Sequence, residues 1–168
     1  KALLDKKINP IVSGIIKRFD FRLYHLTHIL NLKPILSQGL KCHNDASGYK
    51  DISNLKVNKR RERERKSFGS LHEYVPLYFN SRNAMLYQTC KQFNGKIIIL
   101  EINREIVKKD YTVFSQGNAA RWDSSLTRCK IKAASFDWDK ICSRTWAEIG
   151  SGVINVEQKS MMMSECLV

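Results

Sequence analysis

Apolar and polar side chains alternate between residues 19 and 29, which is typical of a β-strand with one buried face. That face of the predicted strand carries Phe19, Phe21, Leu23, His25 and Thr27. A short helix is predicted next, with Asn31 at its N-cap and Gly39 as its stop, because apolar side chains recur at helical spacing at Leu32, Ile35 and Leu36. Two polar side chains, those of His25 and Thr27, therefore end an otherwise apolar strand face.

The middle and end of the chain predict further short elements. Pro76 has no amide donor, so the apolar segment 71–79 is expected to be an edge or irregular strand. After a turn at residues 80–81 we expect a helix that runs through Met85, Leu86 and Cys90. The remaining patterns predict a buried strand over Ile97–Ile102, a loop over 114–120, a helix over 136–146 and a flexible break over 150–153.

The length of the chain, 168 residues, suits a single domain. Residues 1–20 are expected to form an N-terminal lead-in, since apolar positions among the lysines of 1–17 suit an amphipathic helix broken near Pro10. Residues 21–168 are expected to form the domain itself. The chain begins at Lys1 without a signal-peptide pattern, so we expect it to be a fragment of a longer sequence.

A polar and charged stretch runs from residue 42 to residue 70, far longer than an ordinary connection of about 2–6 residues. Within it, residues 56–66 contain seven basic and two acidic side chains. Two interpretations stay open for this segment. It is either a functional, anion-binding loop or a solvated helix with mixed charge pairs, such as Glu62 with Lys66.

The composition adds a strong positive charge to this picture. The chain has 29 Lys and Arg residues against 16 Asp and Glu residues, which gives a net charge of +13 and a pI near 9.7. An apolar fraction of 43% is sufficient for a folded core and excludes a wholly disordered basic tail. A folded, strongly basic domain indicates a polyanionic partner, such as nucleic acid, a phosphorylated cofactor or an acidic membrane surface.

Several classes of protein and site are disfavoured. The longest apolar run, residues 97–100, is far shorter than the roughly 20 residues of a membrane span, so we expect a soluble protein. Five scattered cysteines without a Cys-x-x-Cys pair indicate reduced thiols in a cytoplasmic protein. No metal site is expected because zinc-ligand spacing is missing, and no P-loop or Rossmann site because their glycine motifs are missing.

One acidic residue near the end of the sequence stands out. Glu165 lies in the largely apolar segment 161–168, and a buried carboxylate is unfavourable unless it has a partner or a chemical task. The alternative is that Glu165 simply faces water. A fixed carboxylate would suit cleavage of the bond between ribose and a pyridinium leaving group, because positive charge develops on the sugar in that reaction.

Two blocks of the sequence resemble the DarT toxins, a family that ADP-ribosylates bases of single-stranded DNA. The first block is Leu-Tyr-His-Leu-Thr-His-Ile-Leu-Asn-Leu at residues 23–32, and the second is Leu-His-Glu-Tyr-Val-Pro-Leu-Tyr-Phe at residues 71–79. Weaker similarities occur around residues 117–119, 137–138 and 164–168. The resemblance implies an α+β fold, namely an ADP-ribosyltransferase-like split antiparallel β-sandwich with flanking helices and an NAD cleft.

The resemblance also implies the residues of the site. Glu165 matches the catalytic glutamate, and Arg61 matches the essential arginine, with Arg60 as the alternative. Because a guanidinium stays protonated, we expect Arg61 to act electrostatically on the acceptor base or the NAD pyrophosphate. NAD is expected to be held by His25, Leu26, Thr27, Asn31, Leu40, Arg61 and Met85.

The basic side chains would then serve DNA as well as NAD. DNA phosphates are expected to contact Lys59, Arg60, Arg63 and Arg82. Bases are expected to stack on exposed aromatic side chains, although ordinary packing should account for at least two of the three candidates, Tyr74, Tyr87 and Trp122.

The resemblance therefore implies an NAD-dependent transfer of ADP-ribose to thymidine, or as second choice guanosine, in single-stranded DNA. The protein would be the toxin of a toxin–antitoxin or antiphage system, with a macrodomain hydrolase as antitoxin. Two alternatives remain: an inactive or incomplete nucleic-acid-binding module with the same fold, and an ADP-ribosyltransferase that acts on RNA or protein. Because the family continues beyond the residue matched by Glu165, we expect a C-terminal truncation and a strand that frays.

Overall fold

A computed structural model of the chain describes residue 14 and residues 21–63, 68–147 and 150–168. The expected lead-in over residues 1–20 lies outside the described residues except for residue 14, as does Phe19 at the predicted start of the first strand. The described strands are β1 (Leu23–His28), β2 (Pro76–Tyr78), β3 (Ile97–Ile102), β4 (Val113–Asn118), β5 (Ser125–Thr127) and β6 (Ser164–Leu167). They form one open antiparallel sheet in the order β3-β1-β2-β6-β4-β5.

Short helices surround the sheet, in agreement with the expected α+β class. Within the described ranges they are α1 (Leu32–Gln38), α2 (Leu55–Arg61), α3 (Ala84–Gln92), α4 (Lys130–Ala134), α5 (Trp138–Ile141) and α6 (Val156–Met161). Short 3-10 helices in these ranges cover Ile29–Asn31, Leu71–Glu73 and Arg104–Lys108. Helix α1 and its stop at Gly39 confirm the prediction, since Gly39 adopts a positive φ of 81° at the C-cap.

Side chains along the central strands point alternately to the two faces of the sheet, and one of these faces is packed against the core. Leu77 on β2 lies opposite Cys166 on β6, which lies opposite Phe114 on β4, and all three are buried in the main core. One residue further along the same strands, Tyr78 lies opposite Glu165. Because successive side chains of a strand point to opposite faces, Glu165 projects away from this core.

An aromatic cluster fills the core beneath the sheet. Phe21 stacks on Trp138 with ring centroids 5.2 Å apart, and Phe79 meets the same indole edge-on at 4.9 Å. Phe136 also packs against Trp138. The indole nitrogen of Trp138 donates a hydrogen bond to the carbonyl oxygen of Ala133. This packing anchors the short helices α4 and α5 under the strands that carry the site.

Three sequence predictions for local structure were inaccurate, and a fourth was correct in one of its two alternatives. Segment 71–79 is irregular, with a 3-10 turn over Leu71–Glu73 and strand β2 only over Pro76–Tyr78. Strand β2 is an inner strand and not an edge strand, because Pro76 is its first residue and an amide donor is not needed there. Strand β3 has the predicted bounds but lies at the edge of the sheet among the described strands, with Ile99 partly exposed. The predicted loop over 114–120 is largely strand β4, and of the predicted helix over 136–146 only α5 is helical.

The predicted fraying of the strand around Glu165 is not what the structure shows. Strand β6 lies between β2 and β4, so both of its edges are hydrogen-bonded. Val168 exchanges two backbone hydrogen bonds with Val75, at 2.7 Å and 3.2 Å. Glu165 is therefore held in the interior of the sheet.

Candidate active site

The site is centred on an ion pair between Arg61 and Glu165. Nη1 of Arg61 donates to both carboxylate oxygens of Glu165, at 2.9 Å to Oε2 and 3.2 Å to Oε1. The two side chains are only 11% and 1% exposed. Glu165 therefore does not face water, and it has the partner that a buried carboxylate requires.

Strand β4 holds Glu165 from its other side. The backbone N–H of Glu165 donates to Oγ of Ser115, and the N–H of Ala119 reaches Oε1 of Glu165 at 3.4 Å. The register of β4 against β6 shifts between Ser115 and Asn118, where Gly117 adopts a φ of 87°. This bulge turns the chain so that the Ala119 N–H points at the carboxylate.

Arg61 is the last residue of α2, and the segment around residue 70 holds this helix end. Oγ of Ser70 donates to the carbonyl oxygen of Arg61 at 3.2 Å. One turn earlier in α2, Oδ1 of Asn58 lies 2.8 Å from Nε2 of His72. The second terminal nitrogen of Arg61, Nη2, is buried and lacks a hydrogen-bond partner within the described residues. Arg60 is exposed and binds back to Lys56 of its own helix, so the geometry favours Arg61 over Arg60.

The charge states of Arg61 and of the neighbouring Tyr78 follow from their surroundings. Burial by itself lowers the pKa of Arg61, but the carboxylate of Glu165 more than compensates, and the pKa lies above its ordinary value. Burial and then the negative charge of Glu165 raise the pKa of the neighbouring phenol of Tyr78 well above its usual range. The site therefore holds a charged guanidinium beside a protonated phenol.

A cleft of about 440 Å³ opens above this pair. Strands β1 and β2 are joined through a single cross-strand pair, Tyr24 with Tyr78, and His25 follows directly on β1. Nδ1 of His25 lies 3.1 Å from the carbonyl oxygen of Pro76. A carbonyl only accepts, so Nδ1 carries the proton and Nε2 of the neutral ring is left as an acceptor. Burial lowers the pKa of His25 and favours this neutral form.

Asn31 connects the cleft wall to the long polar stretch. Its Nδ2 donates to Oγ1 of Thr27 and to the carbonyl oxygen of Lys50, both at 2.9 Å, while its Oδ1 accepts from the Lys50 N–H. Asn31 stands at the N-cap of α1 as predicted, but its side chain makes no cap bond because these three contacts use it. The residues around Lys50 are thereby held against the end of β1.

The structure brings the predicted NAD and catalytic residues together. The lining of the cleft includes all eight of them, which are His25, Leu26, Thr27, Asn31, Leu40, Arg61, Met85 and Glu165. The four predicted DNA contacts are exposed side chains, namely Lys59, Arg60, Arg63 and Arg82. Lys59 and Arg60 belong to α2, the helix whose last residue reaches Glu165.

The three aromatic candidates for base stacking differ in how far they are packed. Tyr74 contacts the core and donates its hydroxyl hydrogen to the carbonyl oxygen of Phe68. Tyr87 is 54% exposed and Trp122 is 88% exposed. Packing thus accounts for Tyr74 and in part for Tyr87, whose ring meets Trp146 edge-on, but not for Trp122.

Sequence reasoning missed a cluster of rings that lines one wall of the cleft. His43 stacks on His72 with centroids 4.1 Å apart, and the hydroxyl of Tyr49 lies 2.5 Å from Nδ1 of His43. Burial, then His43 and Arg61, lower the pKa of His72. His72 belongs to the second sequence block, but a lone histidine there does not reveal its contact with Asn58.

Neither a metal centre nor a membrane span is found in the described ranges. Residues 21–63, 68–147 and 150–168 contain no group of three or more His, Cys, Asp or Glu side chains that could hold a metal ion. The longest helix in these ranges, α3, has nine residues, against the roughly 20 that a membrane-spanning helix needs. All five cysteines are free thiols.

Comparison with known proteins identifies two relatives by sequence. A DNA ADP-ribosyl transferase of Thermus sp. (strain 2.9) is 32% identical over 139 residues, which are 75% of this chain and 66% of the relative. A fusion protein of Thermosipho africanus (strain H17ap60334), a DNA ADP-ribosyl transferase joined to a DNA ADP-ribosyl glycohydrolase, is 34% identical over 157 residues. That match covers 87% of this chain and 38% of the fusion protein. The chain thus spans just under two thirds of one relative and less than half of the other.

Comparison with solved structures finds the same relatives as the sequence comparison. The Thermus sp. 2.9 DarT in complex with ADP-ribosylated ssDNA matches with a TM-score of 0.74 and 28% identity, over 88% of this chain and 74% of that one. The same DarT in complex with NAD+ matches with a TM-score of 0.68 over the same shares. The expected ADP-ribosyltransferase-like fold is thereby confirmed. Residues 24–168 match the family described as ssDNA thymidine ADP-ribosyltransferase, DarT, and the chain belongs to this family.

Proposed function

We propose that this chain transfers ADP-ribose from NAD to a base of single-stranded DNA. The observation that carries the proposal is the buried Arg61–Glu165 pair at a cleft of about 440 Å³. Membership of the DarT family and the Thermus relative's complexes with NAD+ and with ADP-ribosylated ssDNA support it. The overall charge of +13 suits both partners, because NAD and DNA each carry phosphates.

The residues of the cleft suit NAD as co-substrate. Nη2 of Arg61 is a buried donor without a hydrogen-bond partner among the described residues, and Nε2 of His25 is an acceptor because Nδ1 carries the proton. A buried donor without a partner is unfavourable by about 1–3 kcal/mol, so an acceptor atom of a bound molecule would stabilise Arg61. His25 would accept from a ribose hydroxyl, and Leu26, Leu40 and Met85 would supply apolar contacts.

Glu165 would perform the charge stabilisation. When bound, NAD supplies a bond between ribose and nicotinamide whose cleavage leaves positive charge on the sugar. A carboxylate that is already fixed in place stabilises such charge without reorganising. Ser115 and Ala119 fix the strand and the carboxylate, and Nη1 of Arg61 donates to both carboxylate oxygens of Glu165.

Arg61 would position the acceptor base. Its raised pKa makes it a donor and excludes it as a general base. A bond forms between the ribose and a nitrogen of the base as the bond to nicotinamide breaks, nicotinamide leaves as a neutral molecule, and the proton of that nitrogen passes to solvent water. The positive charge of Arg61 would stabilise the base as that proton leaves. Thymidine is the proposed acceptor and guanosine the second choice.

The DNA would reach this centre along α2. Lys59, Arg60 and Arg63 are exposed next to Arg61, and Arg82 precedes α3. We propose that these four side chains contact phosphates, which position the strand without reading its sequence.

The relative from Thermosipho africanus suggests a biological setting. That protein joins a DNA ADP-ribosyl transferase to a DNA ADP-ribosyl glycohydrolase. We propose that this chain acts as a cytoplasmic toxin and is counteracted by an ADP-ribosyl hydrolase of the macrodomain type.

The test is a single incubation of the purified chain with NAD and a mixed-sequence single-stranded oligonucleotide. Mass spectrometry should detect one added ADP-ribose on the DNA and an equal amount of free nicotinamide. Homopolymeric oligonucleotides would identify the base, and RNA and protein acceptors would test the alternative substrate classes. The variant Glu165→Gln keeps the size of the side chain and should abolish the product.

Each outcome is informative. DNA that is bound but never modified would support the inactive nucleic-acid-binding module and overturn the proposal. Modification of RNA or protein alone would retain the enzyme class and reject the DNA acceptor. Product formed equally well by Glu165→Gln would reject the assigned role of the carboxylate.

A further inference from the structure

We propose that Trp122 is a stacking platform for a DNA base that flanks the acceptor base. This inference rests on the proposed function and adds a substrate-positioning residue to it. Trp122 lies in the turn between β4 and β5 and is 88% exposed. An indole this exposed offers an open π-face on which a nucleic-acid base can stack.

The turn that carries Trp122 begins at the active centre. The N–H of Ala119 contacts Oε1 of Glu165, and Trp122 follows three residues later. Three residues span at most about 11 Å, so the Trp122 backbone lies within that distance of Ala119. Successive nucleotides of one strand are about 3.4 Å apart when stacked, so bases close to the acceptor come within reach of the indole.

The base of the turn is rigid although its tip is exposed. Ala119 and Ala120 are buried, and the N–H of Ala120 donates to Oδ1 of Asn118. The carbonyl oxygen of Asn118 accepts from the N–H of Arg121 at 3.0 Å and from the hydroxyl of Ser124. Trp122 is therefore presented from a fixed backbone, which reduces the entropy lost when a base stacks on it.

The residues beside Trp122 favour a nucleic acid over a protein partner. Its two sequence neighbours, Arg121 and Asp123, form an ion pair with each other. Nε of Arg121 donates to Oδ1 of Asp123 at 2.8 Å, and Nη2 donates to Oδ2 at 2.6 Å. The ring is thus an isolated aromatic surface between charged side chains, whereas a protein-binding hot spot lies in a larger apolar surface. A single π-face in a strongly basic protein suits a base of any identity.

Tyr87, the other exposed aromatic candidate, is less suitable. Its hydroxyl accepts from Nζ of Lys91 at 2.6 Å, and the same ammonium lies 4.3 Å from the ring centroid. Trp146 also packs edge-on against it. The faces of Tyr87 are thus partly used within the protein, while the indole of Trp122 is almost fully exposed.

The test compares Trp122→Ala and Trp122→Phe with Tyr111→Ala. Tyr111 is 56% exposed and lies before β4, at the end of that strand remote from Ala119, so it controls for loss of an exposed ring. Stacking of a base on an aromatic side chain contributes about 1–3 kcal/mol, so Trp122→Ala should raise the KM for the oligonucleotide about tenfold. The kcat and the KM for NAD should stay within about twofold. The KM of Trp122→Phe for the oligonucleotide should lie close to the wild-type value, and Tyr111→Ala should leave this KM unchanged.

A second arm removes the base instead of the ring. For the wild type, the KM for an oligonucleotide that lacks one base beside the acceptor should exceed the KM for the intact oligonucleotide by about the factor that Trp122→Ala causes. For Trp122→Ala itself, the two oligonucleotides should have nearly the same KM. An unchanged KM in Trp122→Ala, or a loss that is independent of the missing base, would overturn the proposal.

Binding without NAD separates this inference from the proposed function. The Kd for the same oligonucleotide is measured in a Glu165→Gln background, where no transfer takes place. If no DNA is modified by the wild type but Trp122→Ala still weakens this Kd about tenfold, the stacking proposal stands and the proposed activity fails. If transfer occurs and neither Kd nor KM depends on Trp122, the activity stands and the stacking proposal fails.

Discussion

Arg61 and Glu165 lie 104 residues apart in the sequence and form a buried two-bond ion pair in the structure. The pair connects two separate parts of the fold, because Arg61 ends helix α2 and Glu165 belongs to the inner strand β6. Each charge is buried only because the other is present. A variant that removes one partner therefore tests stability as well as catalysis, and the two effects must be separated.

Single and paired substitutions achieve that separation. Arg61→Met or Glu165→Leu alone leaves an uncompensated buried charge and should lower the free energy of unfolding by about 3–5 kcal/mol. The double variant removes both charges and should recover most of that loss while it remains inactive. Urea unfolding and the DNA modification assay measure the two effects. A double variant as unstable as the singles would contradict the role of charge burial.

Arg61→Lys examines the geometry of the guanidinium. In the wild type, Nη1 of Arg61 contacts Glu165 while Nη2 faces the cleft as a second donor. Lysine keeps the charge but lacks this planar fork, so it cannot supply both donors in the same geometry. We expect kcat to fall at least about 100-fold, within the range seen for loss of one transition-state donor. Near-normal activity of Arg61→Lys, measured by nicotinamide release, would show that charge alone is sufficient.

Gly117→Ala tests the bulge that aims the Ala119 N–H at Glu165. The φ of 87° disfavours alanine, and an added Cβ would lie 3.0 Å from Oγ of Ser160. We expect a loss of stability of roughly 1–2 kcal/mol from the backbone strain and, in addition, a lower kcat. Gly95→Ala is the matched control, because Gly95 has a φ of 77° with open space around it. If both variants lower kcat equally, the bulge has no specific role.

The sequence located several parts of this site because they depend on local patterns. The strand that bears His25 and Thr27 follows from period-two alternation, and Glu165 is conspicuous as the single charge of an apolar segment. Membership of the family then related these residues to one another. What a local pattern can predict is the element and the chemical type of its side chains.

The parts that sequence reasoning missed depend on distant contacts. Residues 115–118, Ser-Gln-Gly-Asn, read as a loop and become a strand because β5 and β6 pair with them on both sides. The contact of Ser70 with the backbone of Arg61 depends in the same way on how the long polar stretch folds back. Tertiary pairing therefore overrides the intrinsic preference of such short segments.

His72 should act as a positioning residue for Arg61. Its Nε2 contacts Asn58 one turn before Arg61, so His72→Ala would loosen the helix end that presents the guanidinium. We expect kcat to fall about tenfold with little change in the KM for DNA, and His72→Gln, which keeps a donor, should recover part of it. A rise in the KM for DNA at constant kcat would instead indicate direct contact with the substrate.

Acidification should destabilise the fold through His25. Burial lowers the pKa of His25 in the folded chain, so below its ordinary value of about 6.5 the unfolded chain binds a proton that the folded chain resists. The stabilisation is complete above that value and is lost as the pH falls towards the lowered pKa. His72 has a lowered pKa as well and contributes with the same sign. Urea unfolding of wild type and His25→Gln across this range should give a shallower pH dependence for the variant, and equal slopes would contradict the assignment.

DNA binding should weaken steeply with salt, and the steepness should depend on α2. Each phosphate contact on a single strand contributes about −0.7 to the slope of log K against log salt concentration. Replacing both Lys59 and Arg60 with Gln should therefore reduce the magnitude of the slope by about 1.4 and weaken binding to all sequences alike. Lys109→Gln is the control, because Lys109 is exposed just before β4, at the end remote from Ala119. If the control lowers the slope as much as the α2 variants do, the attraction is diffuse and helix α2 does not guide the strand to Glu165.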